Sequence, residues 1–173
     1  MKKFLMTLAA TVMAIGMNAQ VFVGGSVGFG NYDDGKDDVT SYTFLPEVGY
    51  TFNKDWAAGV AFGWTGMNKG NVKEFTVNPY ARYTFVKGQT VSVFMDGGFG
   101  YSHIYNAGRD IDEFNVGLRP GVAVNLGEHL SFVTHIGFIG YSHEKNNKTK
   151  DKMNNWEVDI DGNNILFGLY YSF

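Results

Sequence analysis

The chain has 173 residues, 45% hydrophobic, 16% aromatic and 18% charged, with 23 glycines, 3 prolines and no cysteine. That many aromatics with so little charge excludes a disordered chain. The lack of cysteine excludes a disulfide scaffold, a zinc ribbon, a cysteine nucleophile and a lipid anchor on an N-terminal cysteine. An isoelectric point near 5.7 argues against a nucleic-acid partner. The length suits one domain.

Residues 1–19 have the form of a secretory leader. Lys2 and Lys3 are followed by an apolar run from Phe4 to Ile15, and a cut after Ala19 is expected although Met17 stands at position −3. The run is too short to span a membrane as a helix, which takes about 20 apolar residues. Residues 20–173 then form the mature domain, with 12 basic against 17 acidic residues and a net charge of −5.

From residue 20 on, apolar residues alternate with small or polar ones. In chain order the apolar sets are Val21–Phe29, Tyr42–Phe52, Trp56–Trp64, Phe75–Phe85, Val91–Tyr101, Phe114–Val124, Leu130–Phe138 and Ile165–Phe173. A period of two predicts strands with one apolar face. The count is eight, with no helical stretch. The connections alternate long and short. Long ones are expected over 31–41, 66–73, 103–112 and 142–162, and short turns at Asn53-Lys54-Asp55, Lys87-Gly88-Gln89 and Leu126-Gly127-Glu128-His129. An up-and-down meander with every short turn on one side is the pattern of an outer-membrane barrel. Pro46-Glu47-Val48-Gly49-Tyr50-Thr51-Phe52 and Pro79-Tyr80-Ala81-Arg82-Tyr83-Thr84-Phe85 form a faint repeat, but the chain is too short for a propeller.

The second face of the strands decides between a soluble and a membrane barrel. It is mostly Gly, Ala, Ser and Thr with isolated charges, which suits the narrow lumen of eight strands. The apolar face carries no charge within the expected spans, where one would cost about 2–4 kcal/mol at mid-membrane. It is aromatic at both ends. Tyr50, Phe52, Trp56, Tyr83, Phe85, Phe132, Tyr171 and Phe173 lie near the turns, and Phe29, Tyr42, Phe44, Trp64, Phe75, Phe99, Tyr101 and Phe114 near the loops. These make two interfacial girdles. The expected fold is therefore all-β, an eight-stranded antiparallel up-and-down transmembrane β-barrel.

The terminal Gly168-Leu169-Tyr170-Tyr171-Ser172-Phe173 resembles the insertion signal of outer-membrane barrels, with Gly168, Tyr171 and Phe173 at the signal positions and Leu166 departing from the polar residue often found two before the glycine. The whole of 20–173, with its Pro-Glu-Val-Gly-Tyr and Pro-x-x-Arg-Tyr segments, resembles the small eight-stranded outer-membrane β-barrel family (OmpA/OmpX type, porin-like outer membrane protein β-barrel domain). That resemblance implies residence in the outer membrane of a Gram-negative envelope, insertion by the barrel-assembly machinery, contact with outer-membrane lipids and lipopolysaccharide, and no cofactor. Family members serve as adhesins, membrane-integrity proteins, narrow channels and lipid enzymes. The chain ends at Phe173, so no peptidoglycan-binding domain is expected, and the barrel is expected to be a monomer.

Five residues carry the candidate interior chemistry. Glu47, Arg82, Asp96, Arg119 and His135 fall on lumen-facing positions, five to seven residues from the nearest short turn and about 13–18 Å up the wall. A salt-bridge plug is the reading adopted; a gate or proton relay is the alternative. Asp96 is expected to be shared by Arg82 and Arg119, with Glu47 completing the balance. A pairing centred on Gly88 would put residue 94 opposite Arg82 and leave Asp96 diagonal to it. Phe94, Tyr80 and Tyr170 also point inward, against an open pore.

Catalysis is weakly indicated. Lipid A deacylases of this size carry His-x-Ser-Asn, but here His103-Ile104-Tyr105-Asn106 puts a phenol, a poor acyl-transfer nucleophile, at the serine position. Ser102 and Ser142 precede histidines, but neighbouring strand residues face opposite ways. Asp33, Asp34, Asp37, Asp38, Asp159 and Asp161 do not fit a twelve-residue calcium loop, so no metal site is expected. Lys145, Lys148, Lys150 and Lys152 form a basic cluster suited to lipopolysaccharide phosphates or to loop solubility. The expected function is a non-catalytic outer-membrane scaffold whose loops contact lipopolysaccharide or an outside partner in adhesion or membrane integrity. A narrow channel and a lipid A-modifying enzyme are the alternatives.

Overall fold

The computed structural model describes residues 20–33, 38–67, 72–106, 109–147, 152–159 and 165–173. The expected leader, 1–19, lies outside these. The described residues form ten strands: β1 Gln20–Asp33, β2 Asp38–Thr51, β3 Trp56–Met67, β4 Lys73–Lys87, β5 Val91–Asn106, β6 Arg109–Asn125, β7 Leu130–Ile136, β8 Phe138–Asn146, β9 Lys152–Asp159 and β10 Ile165–Ser172. No helix among them is long and apolar enough to cross a membrane, a test that does not bear on strands.

The ten strands build eight staves of a closed antiparallel barrel. The ladder runs β5-β4-β3-β2-β1-β10-β7-β6, and β5 pairs with β6 to close it. β7 and β8 share the seventh position: β7 pairs with the Gly121–Asn125 end of β6, and β8 with its Ile111–Leu118 end. β10 and β9 share the eighth, β10 pairing with β1 and β7, and β9 with β8. The joint at Gly137 has φ 73°. That is the left-handed region, costly for any residue with a Cβ.

This joint corrects one expectation. Simple alternation puts Phe138 outside with Leu130, Phe132 and Ile136. The irregular residue at 137 reverses the parity, as a bulge does. Gly140 and Ser142 therefore stand opposite Gly117 and Asn115 on the lumen side, and Phe138 lines an interior cavity.

The expected long loops are shorter than the sequence pattern implies. β1 reaches Asp33 and β2 begins at Asp38; β5 reaches Asn106 and β6 begins at Arg109. The greatest difference is over 142–162, where β8 and β9 form a hairpin from the Phe138↔Asp159 rung to the Lys145↔Lys152 rung. Trp156 belongs to this strand. Backbone pairing needs no apolar alternation outside the bilayer, so polar strand extensions leave no period-two signal.

The first and third short turns fall at the expected places, whereas the second runs over residues 88–90, since Lys87 still pairs with Ser92. Asn53 Oδ1 accepts from the backbone N–H groups of Asp55 and Trp56 at 2.8 and 2.9 Å, fixing the first turn. The C-terminus is tied down as well: Phe173 N donates to Val21 O at 3.0 Å, and Ser172 N to His129 O at 2.8 Å. Replacing Gly137 with Ala is expected to lower stability by about 1 kcal/mol, read as a shift in the urea midpoint of the barrel folded in lipid vesicles; an unchanged midpoint would show the left-handed joint to be dispensable.

Candidate functional site: the lumen plug and the outer rim

The small residues of the inner face make room for aromatic plugs. A Cβ on Gly24 would strike the Tyr170 ring, one on Gly121 the Phe94 ring, and one on Gly117 or Gly140 the Phe138 ring. Phe22, Ala57, Phe94, Val133 and Tyr170 form a buried cluster inside the barrel, backed by Tyr80 and Ala123. Phe94 and Tyr170 are 2% and 4% exposed. The lumen is filled where they stand.

Above this cluster lies the ionic layer. Arg82 grips Asp96 with both prongs: Nε donates to Oδ1 at 2.7 Å and Nη2 to Oδ2 at 2.8 Å. His135 Nε2 lies 2.9 Å from the same Oδ2, placed to donate a third hydrogen bond. The Arg82 guanidinium lies 3.9 Å from the centre of the Phe94 ring, whose edge meets the His135 ring at 5.4 Å between centroids. Asp96 is 4% exposed, so its charge is compensated by geometry and not by water.

Two expectations for this layer need correcting. Asp96 stands directly opposite Arg82, not diagonal to it, because the rung at the turn is Lys87↔Ser92 and not one centred on Gly88, and the β4–β5 ladder then shifts by one residue between Thr84 and Val86. The second concerns sharing. Arg119 is in register with Asp96 on β6, yet among the described residues its side chain has no hydrogen bond or ion pair. Its guanidinium lies 5.6 Å from the centre of the Phe138 ring, the residue that Gly137 turns inward. Arg82 and His135 already occupy the Asp96 oxygens. Glu47 does not join this pair either; it accepts from the Tyr170 hydroxyl.

Glu47, Asp96, Arg119 and His135 line one cavity of about 30 Å³ on the loop side of the layer, with Asn78, Tyr80 and Phe138. Among the described residues, Asn78 Oδ1 and Tyr80 OH have no hydrogen-bond partner. Space of that size suits one or two waters. On the turn side a wider vestibule of about 370 Å³ is lined by Thr51, Lys54, Thr84, Lys87, Ser92, Asn125 and Ser131, with Arg82 and Phe94 as its ceiling. Tyr170 and Phe138 are the participants that pattern reasoning underused. Tyr170 is signalled by its inward parity, but Phe138 has no signal beyond the glycine before it.

The outer rim holds a second cluster. Asp112 Oδ1 accepts from Tyr101 OH at 2.8 Å and lies 2.8 Å from His103 Nδ1, and Asn147 Nδ2 donates to Asp112 Oδ2 at 2.7 Å. Asp112 lies two residues beyond Phe114, outside the apolar band. The bond from His103, then those from Asn147 and Tyr101, hold its carboxyl down at about 2. Ser102 and His103 do not converge. Ser102 is buried inward on Thr76 Oγ1 at 2.8 Å, while His103 faces outward. His143 likewise faces outward, to Asn154, and Ser142 is buried. Among the described residues, no group of three or more His, Asp or Glu side chains could hold a metal. The side chains of Asp33, Asp34, Asp37, Asp38, Asp159 and Asp161, and residues Lys148 and Lys150, lie outside the described residues.

The model of one known family, the outer membrane protein beta-barrel domain, matches residues 4–173. Solved structures similar to this chain include Neisserial surface protein A, at TM-score 0.52 and 13% identity over 88% of this chain and 92% of that one. The outer membrane protein OprG of Pseudomonas aeruginosa is similar at TM-score 0.56 and 13% identity, over 90% and 96% of the two chains. At such identities the likeness concerns the fold alone. No curated protein matches the sequence.

Two outcomes test this geometry. Asp96→Ala leaves the Arg82 cation buried without its partner and should cost about 3–5 kcal/mol, whereas Asp96→Ala with Arg82→Ala should recover part of the loss; additive urea-midpoint shifts would contradict the pairing. At the rim, Asp112 has a folded pKa below its unfolded value, so its contribution is present above about 4 and disappears as pH falls through about 2. A side-chain NMR titration should place the Asp112 midpoint there, and His103→Ala should raise it. The closed ring, the twin aromatic girdles and the family match together make this chain a member of the outer membrane protein β-barrel family, resident in the outer membrane.

Proposed function

We propose that the protein is a non-catalytic scaffold of the outer membrane, sealed to ions, whose outer rim contacts lipopolysaccharide or an outside partner in adhesion or membrane integrity. The observation that carries this reading is the filled cross-section: Phe94, Tyr170 and the Arg82–Asp96–His135 layer separate the 30 Å³ cavity from the turn-side vestibule. An ion crossing that layer would have to displace a bidentate pair held in low dielectric. In this reading Gly168, Tyr171 and Phe173 are the terminal signal taken up by the barrel-assembly machinery, with Tyr171 and Phe173 packed edge to face at 5.1 Å on the outer surface. A catalytic reading would need a nucleophile and base on one face, and Ser102–His103 and Ser142–His143 each divide between lumen and exterior.

The channel reading draws on the wide, cation-lined vestibule around Lys54 and Lys87. A planar-bilayer recording separates the two. The wild-type protein should give no conductance steps, and Phe94→Ala, which removes the ceiling of the vestibule, should introduce small ones. Stable wild-type steps would replace the scaffold with the channel.

A further inference from the structure

The outward face of the β8–β9 hairpin is a graded ladder. Ile139 pairs with Val158, Tyr141 with Trp156, His143 with Asn154, and Lys145 with Lys152. The ladder thus runs from aliphatic to aromatic to polar to cationic over a few rungs. Val158 and Trp156 are 73% and 84% exposed, and Trp156 touches Tyr141 edge to face at 5.5 Å between centroids. On the other flank, Tyr141 and His143 stand beside Val116 and Phe114 of β6, part of the outer girdle. The ladder therefore starts in the outer leaflet and ends at headgroup level.

Its last rung is anomalous. Lys145 and Lys152 are directly opposite, both exposed, and like charges in register repel. Neither has an ion-pair partner among the described residues. Asp112 is the in-register neighbour of Lys145 on β6, but its oxygens already accept from Tyr101, His103 and Asn147. An anion between the two ammonium groups would turn the repulsion into attraction, and an apolar chain lying down the Trp156–Val158 side would cover the exposed rungs. We propose that this hairpin binds a phosphorylated outer-leaflet lipid, its phosphate bridging Lys145 and Lys152 and its acyl chain lying along Trp156 and Val158. Lipopolysaccharide, through the phosphate of its lipid A, has that chemistry. The inference deepens the scaffold reading and rests on it for the outer-leaflet location.

The experiment uses the full chain in nanodiscs of neutral phospholipid doped with bisphosphorylated lipid A, with retained lipid counted by native mass spectrometry. Wild-type protein should retain the bisphosphorylated lipid and not its dephosphorylated counterpart. Lys145→Gln with Lys152→Gln should weaken retention roughly thirtyfold, two membrane-surface lysines being lost. Lys145→Glu gives Lys152 a partner, so the hairpin should stay folded, by heat-modifiable gel mobility and circular dichroism, yet lose the lipid. Equal retention by wild type and Lys145→Glu would overturn the proposal, as would equal retention of the dephosphorylated lipid. Displacement by millimolar inorganic phosphate would also overturn it, by showing a bare phosphate site. A wild type that retains lipid A but conducts ions removes only the sealed-scaffold reading; one that is sealed but ignores lipid A removes only this inference.

Discussion

A bilayer interior offers no water to an unpaired backbone group, so a strand that enters it must be paired on both sides. The pairing of Phe22–Val27 with Ser172–Phe167 meets that demand by joining the first stave to the last. Once the ring closes at eight staves, its bore is set, and side chains alone nearly fill it. The inner face then has to combine bulk and gaps. Tyr170 lies over Gly24, Phe94 over Gly121, and Phe138 over Gly117 and Gly140. The glycines at 24, 117, 121 and 140 are there because a Cβ would strike these rings.

The narrow bore also governs the electrostatics. A carboxylate in such a lumen cannot keep its hydration shell, so Asp96 requires fixed donors. Arg82 supplies two and His135 stands where a third is needed. The position of Asp96 across from Arg82 depends on one register shift near Phe85, far down the strand at the turn end. A local irregularity at the periphery thereby selects which of two arginines holds the central anion. Arg119, displaced from that role, rests against Phe138 beside a cavity whose unpartnered polar atoms call for solvent.

Period-two alternation, charge-free apolar faces and paired girdles made the barrel, its strand number and its lipid-facing surface legible in the sequence, because each follows from one repeating physical demand. The inward positions of Phe94, Tyr80, Tyr170, Asp96 and Arg82 followed from the same parity. The features that escaped were set by single residues. One glycine at 137 flips every side chain after it until the hairpin tip, so Phe138 moved from the lipid face to the lumen. The Lys87↔Ser92 rung at the turn, with a one-residue shift between Thr84 and Val86, put a direct pair where a diagonal neighbour was expected. The hairpin over 138–159 was hidden because its polar rungs lie beyond the bilayer, where no selection for apolar alternation acts on them.

These two kinds of irregularity divide the molecule functionally. The register shift serves the interior, bringing Arg82 and Asp96 face to face beside the buried Phe94 ring. The parity flip serves both surfaces at once. It sends Phe138 inward to support Arg119, and by the same rotation puts Tyr141, His143 and Lys145 on the outside. Without the flip, Gly140, Ser142 and Glu144 would stand on the outer face in place of Ile139, Tyr141 and His143. The left-handed Gly137 therefore suits a membrane protein because the residues of β8 are patterned for the reversed parity, and the lysine-capped ladder exists only because of that glycine. On the outside of this hairpin the rungs then run from Ile139–Val158 through Tyr141–Trp156 to Lys145–Lys152, an order from aliphatic to aromatic to cationic.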